Sequence, residues 1–255
     1  MNIPESTRKL SLYDGLANAL RAWFDRRISG NAILESARLF PDAQLFQANW
    51  QAIRDEAFGV TRHIEHIPRF HELMASQASI SANDARDWRM FIMRAYGVTI
   101  DPNLAQCPTV ASVLAQAPDV LSASFSILGP GKHVPEHRGP FRGILRGYLV
   151  LVMPRGGDGK PAAVLKIDRR EYRLEEGQFL LWDDTFEHAV WNDSDENRVV
   201  LLLDIKRRDM PFDMRFVSGV IVRAVRLWIR LSRSRRIWSR PFPARDVADD
   251  RLSRG

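Results

Sequence analysis

Cysteine is the scarcest residue of this chain: Cys107 is the only one in 255 positions. A single thiol excludes an intrachain disulfide and a cysteine-built zinc cluster, and it suits a reducing compartment. Long apolar runs are missing as well. No stretch of 18 or more apolar residues occurs, so no spanning helix is expected. Met1 to Asp14 is polar and lacks the apolar centre of a secretion signal. No segment repeats another. Acidic residues thin out toward the C-terminus, where residues 215–255 contain 11 Arg against 3 Asp. The whole chain carries a net charge of +6, so the basicity belongs to this tail and the preceding body is close to neutral. A tail of that kind favours an anionic surface.

What is present is enough for a globular core: 45% of residues are hydrophobic and 27% charged. Residues 1–100 read as a mainly helical region packed on the rest. Leu16, Leu20, Trp23 and Phe24 share one helical face, as do Phe46, Trp50, Ile53 and Ala57 after a cap at Asp42. Pro68 ends a helical turn, Asn83 to Asp87 is a turn, and Trp88 to Tyr96 reads as a strand. Pro108 to Gln116 reads as a short helix capped near Thr109.

Residues 101–210 carry the main fold. Short apolar or alternating runs stand at Ala123–Leu128, Gly143–Met153, Ala162–Ile167, Arg170–Leu174, Gln178–Trp182, His188–Asn192 and Arg198–Ile205. Turn signals such as Arg155-Gly156-Gly157-Asp158-Gly159 and Glu176-Gly177 separate them. The expected class is mainly β, a double-stranded β-helix or jelly roll with a helical N-terminal region and a C-terminal amphipathic helix. That helix is expected within residues 211–240. Val217, Val220, Ile221, Ala224, Val225, Trp228 and Leu231 form its apolar stripe, with arginines at 223, 226, 230 and 233 on another face. Residues 241–255 are expected to be disordered.

The chemistry concentrates in two segments, Gly129-Pro130-Gly131-Lys132-His133-Val134-Pro135-Glu136-His137-Arg138-Gly139-Pro140 and Trp182-Asp183-Asp184-Thr185-Phe186-Glu187-His188-Ala189-Val190-Trp191. Neutral imidazoles suit iron(II), and His137 and His188 lie on separate strand-like segments that a jelly roll can bring together; ordinary loop histidines are the plainer alternative. Arg198 opens an apolar strand. A guanidinium there needs a partner: the carboxylate of a small acid, or an ion pair with Glu187 or Asp183. The facial triad of non-haem iron oxygenases places a carboxylate two residues after its first histidine. Here that position is Gly139. His63-x-x-His66 with His71 is too weak a pattern for a zinc site, and Cys107 reads as a buried residue rather than a nucleophile.

Residues from about Ser126 to Ile205 resemble the aspartyl/asparaginyl β-hydroxylase family of iron(II)- and 2-oxoglutarate-dependent oxygenases. The resemblance rests on the Pro-Gly-x-His run at 130–140, Leu145-Arg146, Glu175-Glu176-Gly177 and the Asp183–Trp191 segment. It implies iron(II), 2-oxoglutarate and molecular oxygen as cofactors. His137 and His188 match the iron ligands, in a family whose animal members use two histidines and no carboxylate. Arg198 matches the partner of the far carboxylate of 2-oxoglutarate. Ser126 and Arg146 match residues that hold cosubstrate or substrate, and Asp184 matches an acceptor beside the metal that orients bound water. Tyr148 stands where the family usually has a histidine. His133 reads as a loop residue.

The resemblance allows two substrate classes, acyl chains of lipid A or ornithine lipids and Asp or Asn side chains in proteins. The basic helix favours the lipid. Its tryptophans suit a membrane interface and its arginines suit anionic head groups, although the same stripe could pack on the jelly roll. The expectation is a chain on the cytoplasmic side, peripheral on the inner face of the membrane and bound through residues 215–240. No RNA-binding motif accompanies the arginines, and no nucleic-acid partner is expected. A non-catalytic jelly-roll module at the membrane is the reading from a different class.

Overall fold

The computed structural model describes residue 15 and residues 18–232. Its centre is a pair of antiparallel sheets. The larger has strand order β1-β9-β6-β11-β4-β2-β3, and the smaller has β5-β10-β7-β8. In chain order the strands are β1 (Ile33–Leu34), β2 (Trp88–Ala95), β3 (Val98–Thr99), β4 (Val120–Leu128), β5 (His133–His137), β6 (Ile144–Val152), β7 (Ala163–Ile167), β8 (Arg170–Tyr172), β9 (Phe179–Trp182), β10 (His188–Asn192) and β11 (Arg198–Lys206). Neighbouring strands alternate between far-apart parts of the chain, as in a jelly roll. The expected fold class is what the chain adopts.

The central strands β6 and β11 read as almost unbroken apolar runs because both of their faces are covered. On the outer face of the large sheet, Phe125, Leu149, Leu151, Leu181, Leu201 and Leu203 pack against Phe46, Ile53, Ala57, Val110 and Leu114 of the helices. The inner face contributes Tyr148, Val150, Trp182 and Val200, which meet Ala163, Leu165 and Ile167 of the small sheet. Burial of this kind supplies the main stabilisation, at about 25 cal/mol per Å² of apolar surface.

The helices Ala43–Ala48 and Trp50–Thr61 carry the expected apolar face, but Asp42 makes no side-chain cap bond. The helix Pro108–Gln116 has the predicted bounds, yet its cap comes from a distant residue rather than from Thr109. The Glu56 carboxylate accepts the backbone N–H of Thr109 at 2.5 Å and of Val110 at 3.1 Å. A negative charge at a helix N-terminus satisfies donors that the helix itself leaves open.

The C-terminal helix spans Phe212–Leu231. The buried stripe is not the expected one, of which Val217, Ile221 and Val225 are half-buried and the rest exposed. Met214, Ser218, Val222 and Ile229 are buried against the body, whereas Val220, Trp228 and Leu231 face outward with Phe212, Phe216 and Leu227. Expectations for residues 233–255, the disordered stretch among them, lie outside the described residues. Among the described residues no helix is long and apolar enough to cross a membrane.

Candidate active site

Register explains how residues scattered over 80 positions share one face of the large sheet. Along β11 and its neighbours, Val200 pairs with Ser126 and Val150, Leu202 with Ser124 and Tyr148, and Asp204 with Ser122 and Arg146. Arg146 pairs in turn with Trp182. Alternation along a strand has period two. Ser126, Arg146, Tyr148, Trp182 and Arg198 therefore all stand on the face of the large sheet that looks toward the small one.

The histidines belong to the small sheet. His137 ends β5, His188 opens β10, and the two are direct cross-strand partners. Their ring centroids are 4.1 Å apart at an interplanar angle of 56°. Two imidazoles bound to one ion with metal–nitrogen bonds of about 2.1 Å need a separation of this order. Each Nδ1 lies against a backbone carbonyl, Pro135 at 2.8 Å and Phe186 at 2.9 Å. A carbonyl only accepts, so each Nδ1 is the protonated nitrogen and each Nε2 keeps its lone pair, the tautomer a metal ligand requires.

Burial pushes the His188 pKa down to about 3, and the neighbouring His137 adds to the effect. Burial lowers that of His137 too. Both rings are therefore neutral, ligand-ready groups near neutral pH. Among the described residues no cluster of three or more His, Cys, Asp or Glu is placed to hold a metal, so the pair His137 and His188 stands without a third such side chain.

The glycine two residues past His137 now has a physical reason. A Cβ at Gly139 would overlap the carboxylate of Asp184, and the Gly139 N–H donates to the Asp184 carbonyl at 2.6 Å. The space a third carboxylate ligand would need is filled by Asp184. Burial raises the Asp184 pKa, against the pull of Arg146, which donates to it at 2.6 Å. Arg146 also donates to Asp204 at 2.5 Å. Arg146 thus lies between two carboxylates, an arrangement its spacing in the sequence did not reveal.

Asp183 anchors the loop below. It is fully buried and accepts from Arg142 at 2.8 Å and Arg207 at 2.7 Å, as well as from Thr185. This network ties the segment after His137 to the segment before His188. It also settles one alternative, because Asp183 is engaged elsewhere and is not the partner of Arg198.

Arg198 is 2% exposed, and its Nε and Nη1 have no hydrogen-bond partner among the described residues. Its guanidinium lies 5.4 Å from the ring centroid of Tyr148. Burial lowers the Arg198 pKa and raises that of Tyr148, which stays a phenol. Each unmet donor costs about 1–3 kcal/mol or more, so the cavity calls for a ligand with acceptor oxygens. Ser126, buried beside it in register, already accepts the Trp88 indole N–H at 3.0 Å.

In the sequence Trp182 ends one strand and opens the second motif segment, without a role of its own. Its ring stands edge-on to His188 with centroids 4.6 Å apart, and its Nε1 also lacks a partner. His133 meets Trp191 instead, away from the paired histidines.

Two neutral imidazoles and a buried guanidinium could hold a metal ion and a small acid, and comparison with known proteins gives the family to which such a site belongs. Residues 47–208 match the profile of the aspartyl/asparaginyl beta-hydroxylase family. An ornithine lipid ester-linked acyl 2-hydroxylase of Rhizobium tropici is 33% identical over 193 residues, which cover 76% of this chain and 66% of that protein. The human aspartyl/asparaginyl beta-hydroxylase is 27% identical over 180 residues, covering 65% of this chain but only 22% of that one. Among solved structures, a predicted oxalate decarboxylase of Thermotoga maritima shares 17% identity over 36% of this chain and 71% of that chain, with a TM-score of 0.29, too slight a likeness to argue from. With a profile match over well more than half its length, this chain belongs to the aspartyl/asparaginyl beta-hydroxylase family.

Proposed function

We propose that this protein is an iron(II)- and 2-oxoglutarate-dependent dioxygenase that hydroxylates the acyl chain of a membrane lipid of the ornithine-lipid or lipid A type. The observation that supports the chemistry is the buried Arg198, whose Nε and Nη1 have no hydrogen-bond partner among the described residues, on the sheet face that looks toward two neutral, cross-strand imidazoles. His137 and His188 would hold the iron through Nε2. Arg198 would pair with the far carboxylate of 2-oxoglutarate, with Tyr148 against its guanidinium and Ser126 nearby. When bound, iron, the keto acid and oxygen together supply the oxidising power for a C–H bond, the keto acid ending as succinate and carbon dioxide.

The chain's own groups do the rest. The carbonyls of Pro135 and Phe186 fix the imidazole orientation. Gly139 leaves room for Asp184, and Arg146 holds the Asp184 carboxylate, which would orient water at the iron. The apolar walls of Val150, Leu165, Ile167 and Val200 keep water from the reacting centre.

Two observations favour a lipid over a protein substrate. The Rhizobium tropici relative, the more similar of the two quoted, carries a lipid acyl hydroxylase name. The outward face of the helix Phe212–Leu231 shows Phe212, Phe216, Val220, Leu227, Trp228 and Leu231 to solvent, beside exposed Arg215, Arg223 and Arg230. An apolar face edged by arginines matches an anionic membrane surface, in line with peripheral binding on the cytoplasmic face. Its inner side packs on Phe141 and Ile144, in the segment that follows His137. Lipid extracts from cells with and without the gene, compared by mass spectrometry, test the substrate. The expected result is loss of a species about 16 daltons heavier than its parent. An unchanged lipid profile with a hydroxylated Asp or Asn in a protein would transfer the activity to the second class.

A further inference from the structure

We infer that Trp182 is a further cosubstrate-positioning residue, whose indole N–H donates to the metal-proximal oxygens of the small acid anchored by Arg198. The inference rests on the reading of the cavity as a keto-diacid site and adds a residue that the comparisons do not assign. Trp182 is 3% exposed, and its Nε1 has no partner among the described residues. A tryptophan indole is a donor only, and a buried one ordinarily finds an acceptor.

Its place in the sheet narrows what that acceptor is. Trp182 pairs with Arg146, and its neighbour Leu180 pairs with Tyr148. The indole is therefore two residues along the inward face from the ring that lies against Arg198. Trp182 and Tyr148 belong to one buried cluster between the sheets. At its other side the indole touches the His188 ring. The cavity thus holds two sets of unmet donors, one at Arg198 and one beside His188. A molecule with acceptors at only one end satisfies one set. A keto-diacid, with a carboxylate at one end and a keto-carboxylate at the other, satisfies both.

A merely structural Trp182 would need only its ring. The variant Trp182→Phe keeps an aromatic ring and removes the donor. With zinc(II) as a redox-inert, diamagnetic metal and 2-oxoglutarate as the probe, the full chain is titrated by calorimetry. The expected result is zinc affinity unchanged and 2-oxoglutarate affinity about tenfold weaker in the variant, the worth of one hydrogen bond. Indole N–H signals give a second readout in the wild-type protein. Of the 7 tryptophans, the one whose signal is missing in Trp182→Phe should move to lower field when 2-oxoglutarate is added. Equal affinity for 2-oxoglutarate in the two proteins, with that signal unmoved, overturns the inference and leaves the dioxygenase reading standing. If Trp182→Phe does not fold, the wild-type spectrum still decides, because no shift in any indole signal overturns it. A wild-type protein that binds no 2-oxoglutarate at all removes both readings together.

Discussion

His188 and Gly139 show how single residues set this site. The folded protein resists protonating His188, whose pKa is pushed to about 3 by burial, against about 6.5 in an unfolded chain. Between those values the unfolded state binds the extra proton. The contribution is therefore fully present above about pH 6.5 and is lost as pH falls toward 3. At pH 4.5 the metal-free protein should have lost roughly 3 kcal/mol through this residue, at about 1.36 kcal/mol per unit. Urea unfolding at pH 7 and pH 4.5 checks it. The variant His188→Gln should show a correspondingly shallower fall, and an identical fall in both proteins would refute the assignment. Gly139 makes a different prediction. Restoring the triad carboxylate with Gly139→Asp drives a side chain into Asp184. The cost should be about 1–3 kcal/mol of stability with no gain in metal affinity. A stable variant that binds iron more tightly would show that the space is not filled as described.

At the scale of elements, the helix Phe212–Leu231 has two apolar sides with different tasks. Met214, Val222 and Ile229 hold it to the body, so deleting the helix would confuse folding with binding. Substitution of the outer side separates the two. Phe216→Glu with Leu227→Glu should leave the melting temperature within a few degrees, because both residues are exposed, and should abolish sedimentation with phosphatidylglycerol vesicles. Arg223→Glu with Arg230→Glu should weaken the salt-sensitive part of the same binding, at about 1 kcal/mol per arginine. Undiminished vesicle binding by both double variants would show that this face is not the membrane contact. Sequence periodicity located this helix but mixed its sides, since Val220 and Trp228 fall near the packed stripe in a linear pattern and face solvent in the fold.

For the whole molecule, local signals were legible and remote pairings were not. Apolar runs and turn glycines marked β4, β6, β7, β9, β10 and β11, and β10 has the expected bounds. The two-residue strands β1 and β3 carry no periodicity of their own: β1 is defined by β9, far away in the chain, and β3 by the tight hairpin it makes with the end of β2. Motif spacing singled out His137, His188 and Arg198 because these residues sit at strand ends with distinctive neighbours. It could not show that Arg146 is shared between Asp184 and Asp204, that Glu56 caps a helix more than fifty residues away, or that Trp182 has an unmet donor. Those facts follow from strand register and from helix packing, neither of which a single element's sequence contains.

On the proposed function, the paired imidazoles and Arg198 together hold iron(II) and 2-oxoglutarate. Its most direct test is anaerobic titration of the wild-type protein and of Arg198→Met with iron(II) and then 2-oxoglutarate, read by visible absorption. The account predicts a metal-to-ligand band in the wild type that saturates with one equivalent of each. In Arg198→Met the same band should need about 100-fold or more 2-oxoglutarate, the loss expected for a desolvated guanidinium–carboxylate pair, while iron affinity is unchanged. No band in the wild type, or an equal response in both proteins, would contradict it.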